Sequence, residues 1–327
     1  MNLRFFLKKA VYAGIAVAIA MTLTDVAPRV PGNLGGNLGG DLGGNLRSGH
    51  PIAPLPGRLV SRAQAAPPGK GRVATSSWRQ RAAGRTLIIA HRGFSAAYPD
   101  NSREGFEGAI AAGADLIETD VRMSRDNILF LAHDADIDAF SDIQDLTAKE
   151  LAAQSFVSLG ELLKMAKDRA GVLLDIKLDD ADFPAFVLKK VKRLGMEGQV
   201  VFGLRELAQV RRLRKSAPDV MILGFFRDYG EYPAFFAAGG DIARLWEEDI
   251  DAETLALARD ASGAGRERPV WVTTRLKVLG ESAGEIDPPR LRKLMEMGID
   301  GLLVNDPVQA LDVRAEIDGR RRRGKAE

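Results

Sequence analysis

Two pairs of polar residues follow apolar runs in this chain, at spacings that suit chemistry. Glu118 and Asp120 end one run, and Asp175 and Lys177 end another. The members of each pair are two positions apart, so they point to the same side of a strand. Carboxylates buried side by side need a cation. That cation is either Arg92 or Lys177 in a structural ion network, or a bound Mg²⁺ or Ca²⁺, which prefer carboxylate oxygens.

The histidines favour the metal over the ion network. The chain has three, and two of them, His91 and His133, end predicted strands. A histidine pair beside carboxylates suits general acid and base catalysis. Arg92 and Lys177 add anion-binding capacity, and a bound cation would invert the field of the carboxylates. The residues together indicate metal-dependent chemistry at a phosphoryl ester, in which His50 has no expected role.

The elements that must position these residues are short strands separated by helical patterns. Strands that alternate with helices indicate parallel β-α-β units. Nine β-rich runs are present, at 86–90, 115–120, 128–133, 172–177, 199–203, 220–225, 241–246, 270–273 and 301–304. Eight of them suffice for a barrel in which catalysis occurs at the carboxyl ends of the strands.

The second and third runs are predicted to form a hairpin. Only residues 121–127 separate them, too few for a crossover helix, and Asn127 tolerates left-handed dihedral angles. If Met123 pairs with Ile128, His133 falls opposite Glu118, with a slip of one or two residues left open. The predicted fold is therefore a (β/α)8 TIM barrel with a hairpin extension after the second strand. An open doubly wound sheet is the alternative.

Four motifs resemble the glycerophosphodiester phosphodiesterase family in order and spacing. They are IIAHRG at 88–93, PDNS at 99–102, GADLIETDV at 113–121 and HD at 133–134. A fifth, GLLVNDP at 301–307, is similar to the final strand of the family. The resemblance covers about residues 86–312 and implies a TIM barrel that hydrolyses glycerophosphodiesters to an alcohol and glycerol 3-phosphate with a divalent cation.

The resemblance also implies a role for each site residue. His91 and His133 match the acid–base pair, and Arg92 and Lys177 match the phosphate contacts. In the family the glycerol hydroxyl next to the phosphate attacks first, and water opens the resulting cyclic intermediate while the histidines exchange roles. The implied metal ligands are Glu118, Asp120 and Asp175.

Several positions depart from the family pattern. Asp175 stands where the family usually has Glu, so a water is expected to fill the gap to the metal. Trp271 matches the family, and two alternatives are open for it: a wall of the glycerol pocket or a filler of the barrel. Asn101 is expected to cap the following helix with Glu104, and Glu247 to form a surface ion pair.

Charge and composition divide the chain before residue 86. Residues 1–85 carry 12 basic and 2 acidic side chains, whereas the remainder carries 34 and 42. Basic residues precede an apolar run at 10–23, which is about 21 Å long as a helix and shorter than the ~30 Å hydrocarbon core. We therefore predict a signal peptide or membrane anchor at 1–23, a flexible Gly/Pro-rich linker at 24–80, the barrel at 81–314 and a basic tail at 315–327.

These features limit the function classes. The net acidic body argues against nucleic-acid binding, and the absence of Cys excludes a thiolate nucleophile or metal site. The expected protein is exported to the periplasm or outside the cell, with possible membrane attachment through its N-terminus, and acts on a small glycerophosphodiester. Two alternatives stay open: a phospholipase-type enzyme of the same superfamily and a non-catalytic envelope-binding barrel.

Overall fold

A computed structural model of the chain describes residues 84–137, 141–260 and 268–323. The predicted signal or anchor at 1–23, the linker at 24–80 with His50, and the last four residues of the predicted tail lie outside the described residues. Within the described part, no helix is both long enough and apolar enough to cross a membrane.

The nine predicted strands are all present, and their observed bounds follow the predicted ones closely. They are β1 (Leu87–Ala90), β2 (Leu116–Met123), β3 (Leu129–Leu131), β4 (Gly171–Ile176), β5 (Val200–Leu204), β6 (Met221–Gly224), β7 (Ile242–Trp246), β8 (Val270–Thr273) and β9 (Gly301–Val304). The described ranges contain nine α-helices: α1 (Arg103–Ala112), α2 (Ala148–Ala153), α3 (Leu159–Ala166), α4 (Phe183–Arg193), α5 (Leu207–Ser216), α6 (Tyr232–Ala237), α7 (Ala252–Asp260), α8 (Pro288–Glu296) and α9 (Pro307–Arg323).

Eight of the strands close into a parallel barrel. Strand β1 pairs with β9 on one side and with β2 on the other, which closes the ring of eight parallel strands. Strand β3 lies outside this ring and pairs antiparallel with the end of β2. The predicted TIM barrel with a hairpin extension is confirmed, and the alternative of an open sheet is wrong.

The hairpin has a register one residue away from the predicted one. Met123 pairs with Leu129, not with Ile128. The reason is that Ser124 joins the pairing: its backbone N–H donates to the carbonyl oxygen of Ile128 at 2.9 Å. The loop therefore has three residues and ends in Asn127, whose φ of 62° is left-handed, as three-residue hairpin loops require.

Side chains alternate between the barrel interior and the outer layer of helices. One apolar cluster fills the interior with residues from every barrel strand, namely Leu87, Ile89, Leu116, Leu173, Val201, Leu223, Phe225, Ile242, Trp271 and Leu303. The intervening residues pack outward, where Ile88 and Leu302 meet α8 and α9. Inward positions nearer the carboxyl ends of the strands are mostly polar, so polar side chains line the barrel mouth.

The last helix belongs to the barrel. Helix α9 runs past the predicted boundary at residue 314 to Arg323, and Ile317 is buried in the outer core. The Arg314 guanidinium donates to the carbonyl oxygen of Thr86 at 3.0 Å and pairs with Asp115. The predicted tail therefore begins within a packed helix.

Candidate active site

Three carboxylates meet at the carboxyl ends of β2 and β4. Asp120 and Asp175 are paired residues on these neighbouring strands, and Glu118 lies on the same side of β2 as Asp120. One oxygen from each of the three lies within 4.8 Å of the others. They are 2%, 1% and 4% exposed for Glu118, Asp120 and Asp175. Burial, followed by the charges of Asp120 and Asp175, raises the pKa of Glu118 well above its ordinary value.

Two basic side chains hold the Asp175 side of this cluster. The Lys177 ammonium bridges Asp120 Oδ1 at 2.8 Å and Asp175 Oδ2 at 2.6 Å. The Arg205 guanidinium forms a two-bond pair with Asp175, with 2.8 Å between Nη2 and Oδ2. Burial alone would raise the pKa of Asp175, but the bonds and charge of Arg205, then Lys177, hold it below its ordinary value. Lys177 is therefore one of the two basic residues that the sequence offered as ion-pair partners of the carboxylates. Arg205 is a further partner of Asp175 that the sequence did not predict.

The Arg92-Gly93 turn after β1 holds Glu118. Arg92 has a left-handed φ of 55°, and its backbone N–H donates to Glu118 Oε2 at 3.0 Å. Its guanidinium donates to Asp100 at 2.6 Å, and its Nε lies 3.5 Å from Asp120 Oδ2. Gly93 is required because a Cβ there would lie 2.8 Å from the backbone of Gly105. The predicted phosphate contact Arg92 thus reaches the carboxylates with both its backbone and its side chain.

Asn101 positions Asp120 and does not cap the next helix. Its side-chain amide donates to Asp120 Oδ2 at 2.9 Å, and its Oδ1 accepts from the Thr119 hydroxyl at 2.7 Å. The N-cap of α1 is Ser102, whose hydroxyl accepts from Gly105 N–H at 3.1 Å. The predicted capping role of Asn101 with Glu104 is wrong, because the left-handed φ of 55° at Asn101 turns its side chain into the core.

The two histidines lie in different environments. His91 is buried, its Nδ1 lies 2.8 Å from Asn305 Oδ1, and its Nε2 lies 4.0 Å from Glu118 Oε2. Burial, followed by the charge of Arg92, lowers the pKa of His91. The His133 side chain is 42% exposed, and its Nδ1 lies 2.8 Å from Asp134 Oδ1. Both rings therefore have one nitrogen fixed by an oxygen acceptor.

A cavity of about 800 Å³ connects the hairpin side of the site with the β1 turn. Arg92, Asn101 and His133 all line it. The arm that carries His133 is fixed by Arg122, whose guanidinium donates to the His133 carbonyl oxygen at 2.7 Å. The structure therefore places His133 and Arg92 on one cavity, which meets the carboxylate cluster only through Arg92 and Asn101, since none of the three clustered carboxylates lines it.

Trp271 lies deeper in the barrel than these residues. It is 1% exposed and belongs to the interior apolar cluster. Its ring occupies the space above Gly301, where a Cβ would lie 2.8 Å from Trp271 Cδ1. Of the two alternatives open from the sequence, the structure favours barrel filling.

The opposite side of the mouth carries arginines stacked on aromatic rings. Arg205 lies 5.0 Å from the centroid of Phe225, and Arg244 lies 5.1 Å from that ring and 4.4 Å from Trp246. Arg275 lies 3.6 Å from Trp246. We call these five residues the arginine–aromatic ladder. It follows β5 to β8, and the sequence reasoning missed it.

Glu247 borders the ladder without joining the carboxylates. Its carboxylate lies 3.3 Å from Arg290 Nε and accepts from the Arg275 backbone N–H at 3.0 Å. The predicted ion pair is present, but the Glu247 side chain is only 7% exposed and so is not on the surface.

Comparison with known proteins agrees with this geometry. A model of the glycerophosphoryl diester phosphodiesterase family matches residues 91–200. A glycerophosphodiester phosphodiesterase of Bacillus altitudinis is 24% identical over 259 residues, covering 71% of this chain and 99% of that protein.

Solved structures share the fold. A glycerophosphodiester phosphodiesterase from Agrobacterium tumefaciens has a TM-score of 0.58 at 22% identity, covering 70% of this chain and 99% of that one. A phosphodiesterase from Oleispira antarctica, solved with sn-glycerol-3-phosphate, has a TM-score of 0.57 at 16% identity, covering 70% and 96%. Residues 91–200 therefore match the glycerophosphodiester phosphodiesterase family in sequence, and the closed barrel has the fold of solved glycerophosphodiester phosphodiesterases.

Proposed function

We propose that this chain hydrolyses glycerophosphodiesters to an alcohol and glycerol 3-phosphate, using a divalent cation and two histidines. The observation that carries the proposal is the meeting of three buried carboxylates with His91 and Arg92 at one strand end of the barrel. The glycerol 3-phosphate complex of the Oleispira antarctica relative supports the product.

The residues that would hold the cation are Glu118, Asp120 and Asp175. Their oxygens are hard ligands within 4.8 Å of one another, which fits Mg²⁺ or Ca²⁺. The raised pKa of Glu118 also supports a cation site, because burial and the charges of two neighbouring carboxylates both disfavour its ionised form when no cation is bound. When bound, a divalent cation would neutralise this charge and attract a phosphate.

The histidines would exchange protons with the substrate through their outer nitrogens. Asn305 Oδ1 accepts from His91 Nδ1, and Asp134 accepts from His133 Nδ1, so each hydrogen bond leaves Nε2 for the substrate. One histidine would remove the proton of the glycerol hydroxyl as its oxygen bonds to phosphorus, and the other would protonate the departing alcohol. Water would then open the cyclic phosphate with the two roles exchanged.

The positive charges near the carboxylates would bind the phosphate of the substrate. Lys177 and Arg92 each contact Asp120, so they lie where a phosphate oxygen must approach the metal. Asn101 and Asp134 would act as positioning residues. Asn101 holds the carboxylate of Asp120, and Asp134 holds the ring of His133.

Export is a separate proposal. The basic and apolar N-terminal segment supports delivery to the periplasm or the outside of the cell.

A coupled assay for glycerol 3-phosphate tests the enzymatic proposal. Glycerophosphocholine is supplied with Mg²⁺ or Ca²⁺, then with EDTA, then with the metal restored. We expect turnover that EDTA abolishes and the metal restores. Turnover that survives EDTA would contradict the requirement for a metal. Hydrolysis of phosphatidylcholine instead of glycerophosphocholine would favour the phospholipase-type alternative. A complete lack of turnover on both would favour a binding protein.

A further inference from the structure

Within the described residues, Arg244 is a buried cation that lacks a bonded anion. It is 5% exposed, and its Nε and Nη1 atoms are buried and donate no hydrogen bond among the described residues. It lies on β7 between Ile242 and Trp246, and the alternate residues Ala243 and Leu245 belong to the outer core. The Arg244 side chain therefore points into the barrel.

The surroundings of Arg244 hold it in place without neutralising it. Its guanidinium carbon lies over two rings, 5.1 Å from the centroid of Phe225 and 4.4 Å from that of Trp246. Its backbone N–H and carbonyl oxygen both bond to the buried hydroxyl of Tyr232, at 2.8 Å and 2.5 Å. The neighbouring arginines in the ladder already have acidic partners, which are Asp175 for Arg205 and Glu248 for Arg275.

An arrangement of this kind suits an anionic ligand. Burying a charge without a partner opposes folding, and burial lowers the pKa of Arg244. Stacking on two rings offsets part of that cost and leaves the edge of the guanidinium plane, with its N–H donors, unused. A buried arginine held over aromatic rings, with unused donors at Nε and Nη1, matches phosphate or carboxylate oxygens.

We propose that the ladder binds a second anionic group, carried by the alcohol part of the substrate. The inference rests on the proposed function for its substrate class. The scissile phosphate belongs with the carboxylate cluster, and the glycerol part carries only hydroxyls, so a further anion must come from the alcohol. Arg205 joins the two places, because it pairs with Asp175 and stacks on Phe225. The preferred substrates are therefore glycerophosphodiesters whose alcohol bears a phosphate or a carboxylate.

The first test measures binding alone. Inorganic phosphate is titrated calorimetrically into the full chain in EDTA, where no divalent cation is present to draw phosphate to the three carboxylates of the catalytic end. We expect binding that weakens by about 10–100-fold in Arg244→Met, as for loss of a charge-assisted hydrogen bond. Arg244→Lys, which keeps the charge and loses the planar fork, should give an intermediate affinity. Arg169→Met is the matched control and should bind phosphate like the wild type. Arg169 lies just before β4, at the other end of the strands from the ladder, and pairs with Glu107.

Folding does not obscure this test. Arg244→Met removes an unpaired buried charge and keeps a long apolar side chain, so its urea unfolding midpoint should not fall. If it does fall, Arg244→Lys supplies the comparison. Equal phosphate affinity in the wild type and both variants would overturn the proposal, as would no binding to the wild type.

The second test measures selectivity on a matched substrate pair. Glycerophosphoinositol and its 4-phosphate differ only in one phosphate on the alcohol. We expect the wild type to prefer the 4-phosphate in kcat/KM, mainly through KM, and the preference to fall by about 10–100-fold in Arg244→Met. A preference that is absent from the wild type or retained in Arg244→Met would overturn the subsite. If the wild type turns over neither compound, the proposed function fails, while the phosphate titration still decides the subsite.

Discussion

The two halves of the barrel mouth bury charge in opposite ways. After β1, β2 and β4, each carboxylate has a cation or a backbone N–H within bonding distance, such as Lys177 between Asp120 and Asp175. After β5 to β8, the ladder places guanidinium groups over rings, and no carboxylate of the described part of the chain pairs with Arg244. Breaking a buried pair leaves an uncompensated charge, so the first half has little freedom to change its charges.

This difference in how charge is buried assigns the chemical steps to the first half of the mouth and substrate selectivity to the second. The first half lies within the family-matched residues 91–200, apart from Asn305, and it holds the groups that would move protons and bind metal. The ladder begins at residue 205, outside that range, and offers Arg244, a cation unpaired among the described residues that stays charged and would bind an anion without transferring a proton. Changes in the first half should therefore lower kcat, whereas changes in the ladder should alter which alcohol is preferred.

The largest expected effect is at the half-exposed histidine of the first half. His133→Ala should lower kcat by about 10²–10⁴-fold, as for loss of a general acid or base. Its free energy of unfolding should change by no more than about 0.5 kcal/mol, because the side chain is largely at the surface. His50→Ala is the control and should match the wild type in the glycerol 3-phosphate assay. Full activity of His133→Ala would exclude His133 from the acid–base pair.

The second prediction concerns the apolar interior of the barrel, which lies below both halves of the mouth and should affect stability. Trp271→Ala should lower the free energy of unfolding by about 3–5 kcal/mol, because it empties a buried aromatic site. Phe186→Ala, at an exposed aromatic of α4, should change it by only about 0.5 kcal/mol. Urea unfolding measures both. A Trp271→Ala protein of unchanged stability and raised KM would return Trp271 to the glycerol pocket.

A third prediction concerns the left-handed asparagine beside Asp120. Asn101→Gly keeps the backbone conformation and removes both side-chain bonds, so kcat/KM should fall by about 10–100-fold, as for loss of a residue that orients a metal ligand. Asn127→Gly is the matched control, because Asn127 is also left-handed but is exposed in the hairpin loop. The same loss in both variants would assign the effect to the backbone and not to Asp120.

The sequence predicted the first half better than the second for physical reasons. Glu118 and Asp120 follow an apolar run on one strand, so their shared side follows from alternation alone. Arg244 interrupts an apolar run, and its stacking on Phe225 depends on the pairing of β6 with β7, which is a tertiary contact. Asn101 was misassigned because Ser102, its neighbour, is an equally good cap. The hairpin register differs by one residue, within the slip left open from the sequence, because Ser124 pairs across the loop.

The smallest predicted effect tests the residue where the two halves meet. Arg205→Lys keeps a positive charge near Asp175 but loses the second bond of the fork and the guanidinium placed over the Phe225 ring. Because Lys177 still holds Asp175 Oδ2 at 2.6 Å, the free energy of unfolding should fall by only about 1 kcal/mol, the worth of one hydrogen bond. Arg212→Lys, at an exposed pair with Asp182, should be neutral. A loss of stability as large as that of Trp271→Ala would mean that Arg205 is the main support of Asp175. Arg205 would then belong with the carboxylates of the first half, and the ladder of the second half would begin after β6 and not after β5.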